Sequence, residues 1–234
     1  MNLNDKNILI IGGSSGIGLA LAELLSPSNK IYIASRTSEN IAGLDVIHIP
    51  FDATTETLDN SLLPEKLDGF VYCPGSINLR PFKGLSTDAF EKDFQINVTG
   101  AINSLKNVLG QLSASGNASV VFFSTVAVQT GMPFHSSVAA SKGAIEGLTR
   151  SLAAEFAPKI RVNAIAPSIV NTPLASKFLN SDTKIEKAND RHPLGRIGNA
   201  KEIAQATSFL LGEESSWMTG RVLQLDGGIG NLKT

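Results

Sequence analysis

Short β-branched runs alternate along this chain with longer segments in which apolar residues recur three and four apart. The runs are Asn7–Ile11, Lys30–Ala34, Val46–Ile49, Gly69–Tyr72, Ser119–Phe123, Arg161–Ala164 and Val222–Leu225. Strands of this kind, separated by helical segments, are those of a parallel sheet covered on both faces. With right-handed crossovers they predict an α/β, doubly wound fold, a seven-stranded parallel sheet with helices on both sides. Between Arg36 and Asp45 there is room for about two turns of helix once loops are allowed for, so that crossover is expected to be short or irregular.

Two long helices are expected, one from Ser86 to Leu112 with Ser86 as its cap, the other from Phe134 to Phe156. Phe90, Phe94, Val98, Ile102 and Leu105 form the apolar stripe of the first; Ala144, Ile145, Leu148, Leu152 and Phe156 form that of the second. The charged residues Asp88, Glu91, Lys92 and Asp93 read as a solvated face. Pro167, Pro173 and Pro193 punctuate a stretch that reads as a mobile loop with a short helix near Leu174–Leu179. Residues 168–198 are therefore the expected lid, with Leu174, Phe178 and Leu179 pointing to an apolar-lined pocket.

The 234 residues, 42% of them apolar, are enough for a single domain over 1–234 with one sizeable core. A formal net charge of −1 without a dense Lys/Arg cluster argues against a nucleic-acid partner, and no basic amphipathic helix argues for a membrane surface. No apolar run is long enough to cross a bilayer and no signal peptide precedes the first strand, so a cytoplasmic location is expected. Cys73, the only cysteine, reads as an unreactive buried thiol. His48, His135 and His192 lack the spacings of a metal site, so none is expected.

Directly after the first strand stands Gly12-Gly13-Ser14-Ser15-Gly16-Ile17-Gly18, and a helix Ile17–Leu25 opens from it. A turn of glycines lets backbone approach a pyrophosphate, and the helix start offers free N–H groups and partial positive charge. This is a dinucleotide-binding loop in its proper place between strand and helix. The second strand ends in Ser35-Arg36-Thr37-Ser38 rather than in an acid. A guanidinium fork with hydroxyl neighbours suits the 2′-phosphate of NADP(H), which is expected in preference to NAD.

These features resemble the short-chain dehydrogenase/reductase family, in particular the branch containing the 3-oxoacyl-carrier-protein reductases, over nearly the whole chain. Ile11 to Gly18 is similar to the family's Thr-Gly-x-x-x-Gly-x-Gly loop, with Ile11 for threonine. Asp52-Ala53 matches the pair that contacts adenine. Gly75 in Tyr72-Cys73-Pro74-Gly75 keeps the last residue of Asn-Asn-Ala-Gly, and Asn97 matches the active-site asparagine. Arg161 to Pro173 is similar to the segment that meets the nicotinamide amide, placing Pro167, Ile169 and Thr172 at the cofactor with Ser168 replacing a glycine. Pro193-Leu194-Gly195-Arg196-Ile197-Gly198 and Leu225-Asp226-Gly227-Gly228 match the closing motifs. The resemblance implies a Rossmann fold, a small-molecule substrate and a homodimer or homotetramer assembled through the long helices.

In that family a serine holds the substrate carbonyl, a tyrosine transfers the proton, a lysine binds ribose and lowers the tyrosine pKa, and an asparagine organises a water relay. By spacing from Lys142, Thr125 stands at the serine position and Val138 at the tyrosine position. Threonine keeps a hydroxyl; valine can neither give nor accept a proton. Candidate substitutes are His135, one turn before Val138, or a water ordered by Asn97, Thr125 and Lys142; Ser136 and Ser137 read as helix-start residues. Another phenol, Tyr32 or Tyr72, would have to swing in to restore the usual chemistry. Two readings remain: an NADP(H)-dependent oxidoreductase with an atypical site, or a cofactor-binding regulator or structural subunit without turnover.

Overall fold

The computed structural model describes residues 3–233. Its strands are β1 (Asn7–Ile11), β2 (Lys30–Ser35), β3 (Val46–Pro50), β4 (Gly69–Tyr72), β5 (Ala118–Phe123), β6 (Ile160–Pro167), β7 (Val170–Asn171), β8 (Gly198–Asn199) and β9 (Val222–Leu225). Seven of them form one parallel sheet in the order β3-β2-β1-β4-β5-β6-β9, and β7 pairs with β8 in a separate two-stranded piece. The helices are α1 (Gly16–Leu25), α2 (Thr87–Phe94), α3 (Gly100–Ser115), α4 (Ala127–Thr130), α5 (Ser136–Phe156), α6 (Asp182–Asp190) and α7 (Ala200–Leu211). The crossover from β2 to β3 holds only a single 3-10 turn, Glu39–Ile41, in keeping with the short span available.

Both faces of the sheet are apolar because both are covered. Leu9, Phe70, Val120 and Phe122 pack with Leu105, Val108 and Ile145 on one side. Ile8, Ile10, Val71 and Val121 pack with Leu21, Ile203 and Leu210 on the other. Each strand therefore buries alternate residues in two different cores, which explains why the runs lack the alternation of a half-exposed sheet. α7, which the sequence reading did not place, opens with a capping box in which Asn199 and Glu202 bond each other's backbone N–H. Its far end is held by the buried Arg161, which donates to the Leu210, Ser215 and Gly212 carbonyls.

The expected helix Ser86–Leu112 is interrupted. Ser86 caps α2 through Ala89 N–H as expected, but Gln95–Thr99 is a π-helical turn between α2 and α3. Tyr72 Oη donates to the Ile96 carbonyl at 2.7 Å, and a Cβ on Gly100 would lie 2.3 Å from that hydroxyl. The extra residue of the wide turn and the bare glycine let the helix lean on β4, and periodicity along one segment carries no trace of that partner.

Three further expectations are corrected. Asp93 is not on a solvated face: it is buried, accepting from Ser76 Oγ at 2.5 Å and from Ser137 Oγ. Ser137, in the first turn of α5 as expected, is the buried partner of that carboxylate, while Ser136 Oγ is buried without a partner among the described residues. Residues 168–198 are more ordered than a loop, since besides the 3-10 turn Pro173–Phe178 they contain α6, capped by Ser181 on Lys184 N–H. α6 was missed because its sequence Asp-Thr-Lys-Ile-Glu-Lys-Ala-Asn-Asp has almost no apolar stripe, and only Ala188 is buried. The second long helix starts at Ser136, because Phe134 takes a positive φ of 69°.

Candidate active site

The carboxyl ends of β1, β2, β4, β5 and β6 open into one cleft of about 1320 Å³. Strand order reverses between β2-β1 and β4, so the loops after β1 and β4 diverge and leave the crevice that doubly wound sheets use for ligands. Gly12, Ser14, Ser15, Gly16, Ile17 and Gly18 form its floor. Gly12 and Gly16 have φ of +76° and +55°, and a Cβ on Gly18 would fall 2.4 Å from the Gly12 carbonyl. The loop is therefore folded back on the first turn of α1, whose cap residue Ser15 makes no side-chain bond to it. The first N–H groups of a helix have no intrahelical acceptor, and Gly16, Ile17 and Gly18, which carry them here, line the cleft, a cradle suited to a pyrophosphate.

Arg36 and Thr37 line one end of the cleft, with Thr37 Oγ1 3.4 Å from Ser14 Oγ. The exposed Arg36 guanidinium makes no hydrogen bond or ion pair among the described residues. Asp52 and Ala53 lie beside it. Bonds from the Thr54 hydroxyl and backbone, aided by the charge of Arg36, hold the Asp52 carboxyl below its ordinary value.

At the other end Gly75, Thr125, His135, Val138, Lys142, Pro167, Ile169 and Thr172 share the cleft wall. Val138 and Lys142 stand one turn apart on α5, both buried, and both face the cavity. Burial pushes the Lys142 pKa down to about 8, opposed in part by the Asp93 carboxylate. Asn97 does not line the cleft but stands behind Gly75: a Cβ there would be 3.1 Å from Asn97 Oδ1 and 3.5 Å from Lys142 Nζ. Its amide donates to Ser76 Oγ and the Asp93 carbonyl, and Oδ1 is buried without a partner among the described residues. That orphaned acceptor beside an ammonium, with Gly75 left bare, fits a ligand bearing hydroxyl donors.

His135 holds Pro133 O through Nδ1 at 2.8 Å and makes no helix-capping bond. Neither Tyr32 nor Tyr72 reaches the cleft; Tyr72 is bound to Ile96 O, and burial raises its pKa further. The Cys73 thiol is pushed up to about 12 by burial, as suits an unreactive group. Leu174 and Phe178 line the cleft, but Leu179 does not. Sequence reasoning missed Ser76, Asp93 and the pair Ser168–His192, whose partners come from distant segments. Ser168 alone carried a signal, as a departure from a glycine motif. Among the described residues no cluster of His, Cys, Asp or Glu is arranged to hold a metal ion, and no helix is long and apolar enough to cross a membrane.

A doubly wound sheet whose switch-point cleft joins a glycine-lined helix start to a buried lysine belongs to the Rossmann-type oxidoreductases. Residues 13–230 match the family model described as Enoyl-(Acyl carrier protein) reductase, and the chain belongs to the short-chain dehydrogenase/reductase family. It is 34% identical to the 3-oxoacyl-[acyl-carrier-protein] reductase of Thermotoga maritima, over 98% of this chain and 99% of that protein. It is 32% identical to the 2,5-dichloro-2,5-cyclohexadiene-1,4-diol dehydrogenase of Sphingobium indicum, over 97% and 98%. Among solved structures, the ligand-free aldohexose dehydrogenase of Thermoplasma acidophilum superposes with a TM-score of 0.90 at 28% identity, covering 100% of this chain and 98% of that one. A gluconate 5-dehydrogenase of Burkholderia cenocepacia in complex with NADP and tartrate does so at 0.90 and 25%, covering 99% and 97%.

Proposed function

We propose that the protein is an NADP(H)-dependent oxidoreductase of a small carbonyl compound or related acceptor, working as a homodimer or homotetramer without the family's phenol. The observation that carries this reading is the cleft wall itself: Thr125, Lys142 and the glycine loop are in place, while Val138 occupies the turn beside Lys142 and no tyrosine lines the cavity among the described residues. Bound NADP(H) would supply or take up a hydride at its nicotinamide. The glycine loop would hold the pyrophosphate, Arg36 with Thr37 the 2′-phosphate, and Asp52 with Ala53 the adenine. Lys142 would hold the ribose over Gly75, and Pro167, Ile169 and Thr172 the nicotinamide end. Thr125 donates its hydroxyl to the substrate oxygen. The proton comes from a group other than a phenol; His135, at the mouth of the cleft, is one such group.

The test is NADPH consumption against ketones, 3-oxoacyl thioesters, quinones and imines, followed by absorbance. Turnover of at least one class is expected, and faster with NADPH than with NADH. Tight NADPH binding with no turnover of any acceptor would favour the regulator or structural subunit instead. Arg36→Ala is expected to raise the NADPH Kd roughly 10- to 100-fold, the worth of a charge-assisted phosphate contact, and to leave NADH binding unchanged. Equal losses for both dinucleotides in a fluorescence titration would remove the preference for NADP.

A further inference from the structure

Resting on that reading, we propose that Ser168 and His192 form the proton relay that serves this cleft in place of a phenol. Both residues line the cavity. His192 is buried at 4% exposure, with Nε2 2.8 Å from Ser168 Oγ and Nδ1 2.7 Å from the Ala188 carbonyl oxygen. A lone pair on Nδ1 would face the carbonyl lone pairs at that distance, so Nδ1 carries a hydrogen in every protonation state. Nε2 is then the nitrogen that exchanges a proton, and among the described residues its partner is the serine hydroxyl.

The ring is held rigidly. A Cβ on Gly227 would lie 3.2 Å from His192 Cδ2, so the turn after β9 packs against its edge, and Leu194 N–H bonds Gly227 O just beyond it. Ser168 is half-buried and follows Pro167, whose carbonyl accepts Val126 N–H at 3.0 Å. The serine therefore adjoins the Thr125 segment that lies along the same wall as Val138. A nucleophile-type hydroxyl, an imidazole and a backbone orienter stand in line, an arrangement that moves protons efficiently. The His135 ring, by contrast, has among the described residues the Pro133 carbonyl alone as a partner.

For reduction, the substrate carbonyl carbon gains the hydride and its electron pair from the dinucleotide, and the carbonyl π pair moves to oxygen. A new O–H bond forms there as Ser168 Oγ–H breaks; Oγ takes the proton of His192 Nε2–H in the same movement. His192 passes from imidazolium to the neutral Nδ1–H ring and regains its proton from water. Oxidation runs the same steps backwards.

Two substitutions separate a relay from a tie that merely fastens the lid. His192→Gln keeps an atom able to bond Ser168 but shuttles no proton, and Ser168→Ala removes the hydroxyl. In the otherwise wild-type chain both are expected to lower kcat by about 100-fold, the worth of a positioned acid, with NADPH Kd unchanged. In a Val138→Tyr background, where a phenol is restored, the same substitutions are expected to change kcat less than about 3-fold, since coupling is lost when the shared role is filled elsewhere. A readout independent of activity is the ¹⁵N spectrum of the histidine-labelled apo-protein: His192 is expected as the Nδ1–H tautomer, with Ser168→Ala moving the Nε2 resonance and leaving Nδ1 in place. Equal losses in both backgrounds, a wild type indifferent to Ser168 and His192, kcat lost only with His135→Ala, or a neutral His192 ring with its hydrogen on Nε2 and Nδ1 bare would each overturn the relay. Those results leave the parent reading standing if NADPH binds and is consumed; failure to bind NADPH removes the parent reading and the relay with it.

Discussion

Lys142→Met is expected to abolish turnover and at the same time to make the protein more stable. The ammonium is 8% exposed, and no hydrogen bond or ion pair to it exists among the described residues, so folding takes a charge out of water with little return. Burial lowers its pKa from 10.5 to about 8. Below pH 8 the lysine is protonated in both folded and unfolded chains, and the cost of burying the charge is fully present. Between pH 8 and 10.5 the folded chain releases the proton while the unfolded chain keeps it, so wild-type stability rises with pH relative to Lys142→Met. At pH 7 the variant should gain about 1–3 kcal/mol, or about 2–10 °C in Tm for a chain of this size, and the gain should shrink towards pH 10.5. Calorimetry of the apo-protein at pH 7, 9 and 10.5 checks the sign. A variant less stable at pH 7 would show that the ammonium has compensating partners. Turnover should fall by at least about 100-fold, because the group proposed to position the ribose is gone.

Gly18→Ala should do the opposite, damaging the fold and the cofactor site together. The added methyl would meet the Gly12 carbonyl oxygen at 2.4 Å and Gly13 Cα at 2.9 Å. Both are backbone atoms of the loop that must stay closed on α1, so no rotamer relieves the contact. Overpacking of this kind costs about 1–3 kcal/mol, and the first turn of α1 must shift to accommodate it. The N–H groups of that turn then no longer converge on one anion; with two charge-assisted bonds lost, the NADPH Kd should rise at least about 100-fold. Gly110→Ala is the matched control, since nothing lies within 4 Å of its added Cβ in the middle of α3. It should stabilise by about 0.5–1 kcal/mol through helix propensity and leave binding unchanged. Isothermal titration with thermal melts on the three proteins distinguishes the outcomes. A Gly18→Ala protein that binds NADPH as the wild type does would show that the phosphates lie elsewhere.

The strands, the glycine loop and the placing of Lys142 on a helix were legible because each is written in neighbouring residues. Apolar runs such as Ile8–Ile11 name a strand buried on both faces, and Gly12 to Gly18 name the turn that follows. The π turn at Gln95–Thr99 was not legible, since it depends on Tyr72 and Gly100 meeting across the fold. Asp93 looked solvated because its local companions Asp88 and Lys92 are: that pair forms an exposed bridge at 2.8 Å one turn earlier. Only Ser76 and Ser137, 17 and 44 residues away, give its carboxylate a buried place.

What the amino-acid order determined was the periodic burial of strands and helices, the backbone freedom of the glycine loop, and the presence of Val138 one turn before Lys142. Those are properties of residues and their near neighbours. The tertiary structure alone decided which polar groups share a wall, bringing Ser168 to His192 across 24 residues and Asn97 to Lys142 behind Gly75. Hydrogen bonds act over about 3 Å, and only folding, by closing chain segments far apart in sequence, sets such distances.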